Sequence, residues 1–384
     1  MKKTILMLAD GVSLAHPGRL HAVASMLDGE IYDITIATHK KYHQFIKGFK
    51  LEHLECISEQ RFSNAIDKGF PMFNQSILEN YIKDDLKLID KIKPDILIGD
   101  FRLSLLISSK LTHIPYINLT NAYWSDNLNI KYRVPDSNLT KTFGLKLGQC
   151  LFDFGRPFYF YFHARPFNVL LAKYDLYEKN LSLGDIYTSG DHTIFLDDPT
   201  IFRDINLNYN QTVSGCINWS ITGSHPVWLD DLPKNKPIVY INLGSSGSID
   251  LLPEIVNRLK KLDLTIIVAT LNKININPEP NVFVADYLDS LLIHELSDIF
   301  ICNGGISVYP ALSAGNHAIC IPKNLDQCLN SQVLTDQNIA TVVRSQSLEM
   351  LDSTVSGLLV KEKKKHAIKY CNKETIIKVI NQVS

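Results

Sequence analysis

The chain has 384 residues, 45% of them apolar and 21% charged, which leaves room for two ordinary domains with a sizeable core and excludes a disordered protein. Its formal net charge of −1 excludes a globally basic nucleic-acid binder, though not a local basic patch. Seven cysteines with no Cys-x-x-Cys pair suit a reducing cytosol, where they serve as small apolar fillers.

The first residues, MKKTILMLADG, mimic a signal peptide, but the apolar stretch stops at Asp10, too soon for such a segment, so it reads as a buried strand over 4–9. Further strands are predicted over 32–38, 95–99 and 116–120, with helical stretches over 76–91 and 103–111 between them. Residues 122–190 are less regular. Within them, 150–171 is dense in aromatics, with Arg156, His163 and Arg165 interspersed. It reads as an amphipathic helical insertion whose rings pack on the domain. The wall of an apolar acceptor pocket and a patch that touches lipid are the other readings.

Residues 222–237 carry Pro226, Pro233 and Pro237 and no long periodic pattern, which is linker chemistry. Beyond them, strands are predicted over 238–244, 264–270, 281–285, 299–302, 318–322 and 340–344, and a last helix over 374–383. Continuous apolar strands separated by helices imply parallel sheets covered on both faces. The expected class is α/β, with two doubly wound, Rossmann-like domains facing each other across a cleft. The domains are placed at 1–221 and 238–370, and a ligand site between them is the default. The lysine run 361–365 reads as a solvated turn. No apolar run approaches transmembrane length. The expected location is the cytoplasm, with contact at the inner face of the membrane left open.

The stretch CNGGISVYPALSAGNHAICIPKNLDQCLN, beginning at Cys302, carries the chemistry. A strand ends at Asn303-Gly304-Gly305 and a helix starts a few residues on. Glycine lets backbone approach a ligand closely, and amides at a helix start favour an anion such as a diphosphate. The order Gly304-Gly305, Ser307, Ala311-Leu312, Gly315, Pro322, Asp326-Gln327, Asn330 resembles the donor-binding motif of GT-B glycosyltransferases of the UDP-glycosyltransferase type, which includes bacterial macrolide and antibiotic glycosyltransferases. VYINLGSSG, from Val239, resembles the first strand and phosphate-facing loop of that family's C-terminal domain. SGCINWS, from Ser214, resembles its Gly-Pro-x-x-Trp segment, with Cys216 in place of the proline.

The resemblance implies roles. Gly244 and Ser245, with Asn303, Gly304, Gly305 and Ser307, would hold the donor diphosphate. Asp326 and Gln327 would hydrogen-bond the transferred sugar, which suits a carboxylate beside an amide. Asp326 could instead cap the helix starting near Leu325. Tyr287 lies where the family has an aromatic residue against the base. The last segment, 371–384, would pack back on the N-terminal domain. Three departures bear on the nucleotide. Asn303 replaces a histidine, Pro310 replaces the glutamate that binds ribose, and Asp289-Ser290 replaces Pro-Gln. UDP-, dTDP- and GDP-linked donors therefore all remain open. Pro310 fits its predicted helix only in the first turn.

On the acceptor side, Pro17 suits a first helical turn and puts His16 at the helix entry. The family has its general base in this loop, and His16 matches better than His21. A helix N-terminus disfavours the imidazolium, so a neutral base is expected. Asp100 ends a strand on the same sheet edge, where the family pairs an aspartate with the histidine. The alternative is that both residues only cap helices. Asn121, Tyr123 and Trp124, just after another strand, are acceptor-binding candidates.

Several patterns are absent. There is no Asp-x-Asp anchor, no Gly-x-Gly-x-x-Gly, no Walker motif and no second histidine after His294-Glu295 for a zinc site. The expectation is an inverting, metal-independent glycosyltransferase with no cofactor beyond its nucleotide-sugar co-substrate. Its other partner is a hydroxyl-bearing acceptor, a small molecule or a lipid or glycan, and it has no nucleic-acid partner. A GT-B nucleotide-sugar epimerase and a non-catalytic nucleotide-sugar binder are the rivals.

Overall fold

The computed structural model describes residues 2–221, 225–233 and 235–383. The chain divides into two compact units: 1–129 with 150–219 and 369–384, and 130–149 with 220–368.

The first unit is built on seven parallel strands: β1 (Lys3–Ala9), β2 (Tyr32–Thr38), β3 (Lys50–His53), β4 (Ile96–Asp100), β5 (Tyr116–Thr120), β6 (His192–Phe195) and β7 (Gln211–Val213). Their order is β3-β2-β1-β4-β5-β6-β7. The order reverses direction between β1 and β4, and such a switch point opens a crevice at the strands' C-terminal ends. Ala9 pairs with Asp100 there. Strands β3, β6 and β7 escaped the sequence reading. They are short, and β3 and β7 are only partly buried, so they lack a continuous apolar run.

The helix Gln75–Ile92 shows how the sequence builds this unit. Asn74 caps it by accepting from the Ile77 amide at 2.9 Å. Its buried positions Leu78, Tyr81, Ile82, Asp85, Leu88 and Ile89 recur at three and four residues, so one stripe faces the core. Pro94 stops it, after Lys93 turns left-handed at φ 51°. The one charge in the stripe, Asp85, meets Arg102 at 2.9 Å.

The C-terminal helix Lys373–Val383 brings Ile376, Val379 and Ile380 into one core with Ile5, Met7, Leu20, Ile98 and Ile117. Just before it, the Cys216 amide donates to Lys369 O and the Cys371 amide to Cys216 O, both at 2.8 Å. A proline at 216 would lack that first donor. Gly215 is required here as well. It sits at φ 103°, and a Cβ would lie 2.5 Å from the Tyr370 backbone.

The second unit has six parallel strands: β8 (Ile238–Asn242), β9 (Thr265–Ala269), β10 (Val282–Ala285), β11 (Ile299–Cys302), β12 (His317–Cys320) and β13 (Ala340–Val342). The order is β10-β9-β8-β11-β12-β13, with its own switch point between β8 and β11. Residues 130–149, expected in the first domain, group with this unit, where Arg344 pairs with Asp136 at 2.6 Å and Arg133 donates to Gln332 at 2.8 Å. Of the linker expected over 222–237, residues 222–224 and 234 lie outside the described residues.

Two imidazoles, His294 buried and His163 largely so, set an acid limit to stability. Burial lowers the pKa of both His163 and His294 to about 4. The unfolded chain, with histidines near 6.5, then binds more protons as pH falls. Stability is full above about pH 6.5 and is lost as pH falls toward 4. At pH 5 the loss is about 2 kcal/mol per imidazole. Urea midpoints at pH 7 and pH 5 should show it, and His163→Phe with His294→Phe should flatten the slope. An unchanged slope in that double variant would refute the assignment.

Candidate functional site

In the first unit, the C-terminal edge of the sheet collects a polar network. The helix Ala15–Ser25 follows β1 and carries His16 and Arg19 one turn apart. Pro17 lies in its first turn, where a missing amide costs nothing. Asp100 ends β4 and is fully buried. Its Oδ1 lies 2.7 Å from His16 Nδ1, and Arg19 grips both carboxylate oxygens, Nε to Oδ2 at 2.7 Å and Nη2 to Oδ1 at 2.6 Å. Burial pushes the Asp100 carboxyl up, but Arg19 and His16 pull it down further, and it ends below the usual carboxylate range. Asp100 is therefore an anion at neutral pH.

That anion sets the histidine's tautomer. Nδ1–H donates to Asp100, which leaves Nε2 as the ring's acceptor. With Nδ1 protonated, the 3.1 Å approach of Arg19 Nη2 to it is a close contact of two donors and not a hydrogen bond. The ring stacks on Phe101 at 4.8 Å and 10°. Phe101 itself takes φ 56°, a costly conformation for a bulky residue, found where surroundings over-determine it. His21 has no nitrogen to spare: Nδ1 accepts from Trp219 at 3.1 Å and Nε2 lies 3.1 Å from Lys47 O.

The three residues expected at the acceptor differ in what they present. Asn121 is buried, with Oδ1 accepting from Arg19 at 2.5 Å and Nδ2 donating to Asp197 at 2.9 Å. Both ends of its amide extend the network, so it positions Arg19. Tyr123 is also buried, packed by Phe202 and Trp124, and belongs to the core. Trp124 alone is partly exposed, stacked on Tyr187 at 4.2 Å. Burial could not be foreseen here, because Asn121 caps, and Tyr123 and Trp124 lie in, a single 3-10 turn, Ala122–Trp124, whose direction the sequence does not show.

In the second unit, the loops after β8 and β11 meet at the switch point. Gly244 lies at φ 65° and a Cβ there would come within 2.8 Å of Asn303 Nδ2. Gly304 lies at φ 79°, and a Cβ would lie 2.0 Å from Ser331 Oγ. Both positions thus demand glycine for conformation and for space. Asn303 Oδ1 accepts from the Gly305 amide at 2.9 Å. Asn330, quoted above only as a motif position, donates to Gly304 O at 2.9 Å and accepts from Tyr309 at 2.6 Å. It pins the glycine turn to the helix Leu325–Asp336. Ser307 precedes the helix Val308–Ala314, so Pro310 does fall in a first turn, buried and without a side-chain acceptor. Ser245 O accepts from Lys273 at 2.9 Å.

Asp326 and Gln327 open the helix Leu325–Asp336, and Asn324, not Asp326, is its N-cap, accepting from the Gln327 amide at 3.0 Å. Gln327 is buried. Its Oε1 accepts from the Lys323 amide at 2.8 Å and its Nε2 donates to Ser246 Oγ at 3.1 Å. The side chain completes a capping box and braces the loop after β8, a role its place in the motif did not reveal. Asp326 is partly exposed. Tyr287, also partly exposed, donates to Leu271 O at 3.4 Å. Among the described residues no group of three or more His, Cys, Asp or Glu is placed to hold a metal ion.

Two parallel-sheet, Rossmann-like units, each with its polar or glycine-lined edge at a switch point, are the build of a GT-B glycosyltransferase. The solved glycotransferase of kitacinnamycin matches all of this chain and 95% of its own at a TM-score of 0.67 and 15% identity. Spinosyn rhamnosyltransferase SpnG complexed with thymidine diphosphate matches all of this chain and 96% of its own at 0.64 and 13%. The PGL/p-HBAD biosynthesis rhamnosyltransferase of Mycobacterium bovis (strain BCG / Pasteur 1173P2) is 34% identical over 352 residues, 91% of this chain and 78% of its own. The chain belongs to the glycosyltransferase family of that mycobacterial enzyme. No protein-family model matches it.

Proposed function

We propose that the chain transfers a sugar from a nucleoside-diphosphate donor to an acceptor hydroxyl, with inversion and without a metal. The observation that carries this reading is the 2.7 Å pair of His16 with a buried, ionised Asp100. His16 Nε2 takes the hydroxyl proton as the acceptor oxygen bonds to the anomeric carbon. The bond from that carbon to the diphosphate breaks, and its electron pair leaves with the diphosphate. Asp100 stabilises the imidazolium that forms.

Amides around Gly244, Ser245, Gly304, Gly305 and Ser307, with the Asn303 side chain, hold the leaving diphosphate and the charge that grows on it. Asp326 accepts from sugar hydroxyls, Gln327 holds the loop that frames them, and Tyr287 lies against the base. Pro310 leaves the ribose without its usual carboxylate. The rhamnosyltransferase names of the mycobacterial relative and of SpnG, and the thymidine diphosphate in the latter's structure, favour a deoxyhexose on dTDP. The PGL/p-HBAD relative favours an acceptor from the lipid or glycan class.

Mass spectrometry tests the reading. The enzyme is mixed with dTDP-, UDP- and GDP-linked sugars, rhamnose included, and cell extract, with and without chelator. A sugar-sized mass gain that requires the extract and survives the chelator is expected. Donor turnover with no extract present would favour the epimerase, and donor binding without transfer the non-catalytic binder.

A further inference from the structure

The helix Asn138–Lys173 contains the aromatic segment, and its stretch 150–173 belongs to the first unit. One face is core: Ala164, Phe167, Leu170 and Leu171 pack with Phe73, Leu78, Tyr81 and Ile107. The opposite face is apolar too, and it is bare. Phe154, Phe158, Tyr161 and Phe162 are each more than half exposed, Phe154 by 79%. Their three- and four-residue spacing, continued by Leu151 and Val169, makes a single stripe. A surface helix normally turns a polar face to water, and contiguous exposed rings mark an interaction surface.

A neighbouring element carries a further exposed ring. Gly69 lies beside the Tyr159 ring, where a Cβ would be 3.5 Å away, and the next residue, Phe70, is 63% exposed. Along 150–171 the charged residues are Arg156, Arg165 and the acid Asp153, and the exposed Arg165 falls within the stripe, which carries no acid. An apolar stripe of rings that holds a cation and no acid complements an anionic bilayer better than a protein face. Among the described residues no helix is long and apolar enough to cross a membrane, and the stripe lies along its helix, the geometry of attachment in the interface plane.

We infer that this face docks the enzyme on an anionic lipid surface. The inference uses nothing of the donor assignment, so either can fail alone. Co-sedimentation with vesicles of phosphatidylcholine, alone and mixed with phosphatidylglycerol, tests it. The full chain should bind the mixed vesicles, more weakly as salt rises, and bind neutral vesicles at least tenfold less. Phe154→Ser with Phe158→Ser should abolish most of the binding, and Arg165→Glu should weaken it about tenfold. Both act on exposed side chains, and circular dichroism with donor-binding calorimetry will show that the fold and the second unit are intact. Phe70→Ser, on a separate element, repeats the test should the helix variant misfold. Equal binding to neutral vesicles, binding unchanged by these variants, or no binding at low salt would overturn the inference. A wild-type dimer that the Phe154/Phe158 variant splits would also overturn it, showing a second copy to be the occupant.

Discussion

His16→Ala should lower kcat by about 10²- to 10⁴-fold, the range a general base supplies, and leave the donor dissociation constant within a few-fold of wild type. The second half follows from where the residues lie: every group proposed to hold the donor belongs to residues 244–327, and His16 belongs to the other unit. Asp100→Asn should also cost activity, by a different route. An amide can accept from Nδ1–H, but it cannot stabilise an imidazolium as an anion does, and it can flip to favour the wrong tautomer. It also strands the Arg19 guanidinium, which now spends two hydrogen bonds on Asp100. Asp100→Asn should therefore lower the melting temperature as well as kcat, whereas His16→Ala should lower kcat alone. Steady-state kinetics, donor calorimetry and thermal melts separate the two. Unaltered kcat in His16→Ala would remove the base from the mechanism.

Asp85→Ala should destabilise the protein by about 3–5 kcal/mol, the range for removing one partner of a buried pair. Arg102 is fully buried. It donates to Asp85 at 2.9 Å and Glu55 O at 2.9 Å and lies 3.8 Å over the Tyr81 ring. Asp85 also accepts from Ser104 at 2.6 Å and Ser108 at 2.9 Å. Without the carboxylate, a guanidinium and two hydroxyls remain in the core with only weak acceptors. Asp10 offsets part of this, since Arg102 already acts on its carboxyl electrostatically, although burial holds its pKa up. Adding Arg102→Met should recover much of the loss by removing the orphaned charge. Urea unfolding gives both numbers. A loss below about 1 kcal/mol for Asp85→Ala would mean that the pair is not the buried lock described.

Much of the glycine loop's local structure was legible. Gly244 and Gly304 announce left-handed backbone, Pro310 announces a first turn, and the apolar runs around β8 to β13 announce buried parallel strands. The place of His16 was legible for the same reason, because His16 and Pro17 mark a helix entry after a strand. Arg19 left a trace as well, three residues after His16 and hence on the same helical face. Nothing local pointed to its target, 81 residues away. The burial of Tyr123 and Asn121 was not legible, because adjacency to a strand end does not say which way a turn aims its side chains.

The sequence alone was enough for the α/β class, the helix entries, the glycine turns and the family resemblance, because each depends on residues within a few positions of one another. Strand order, the convergence of Arg19 and Asn121 on the His16–Asp100 pair, the commitment of Gln327 to Ser246 and the bare aromatic face were decided only in three dimensions. They depend on which strand ends become neighbours and which helix faces are left uncovered. Those outcomes are set by burial summed over a whole unit, which no single stretch of chain encodes.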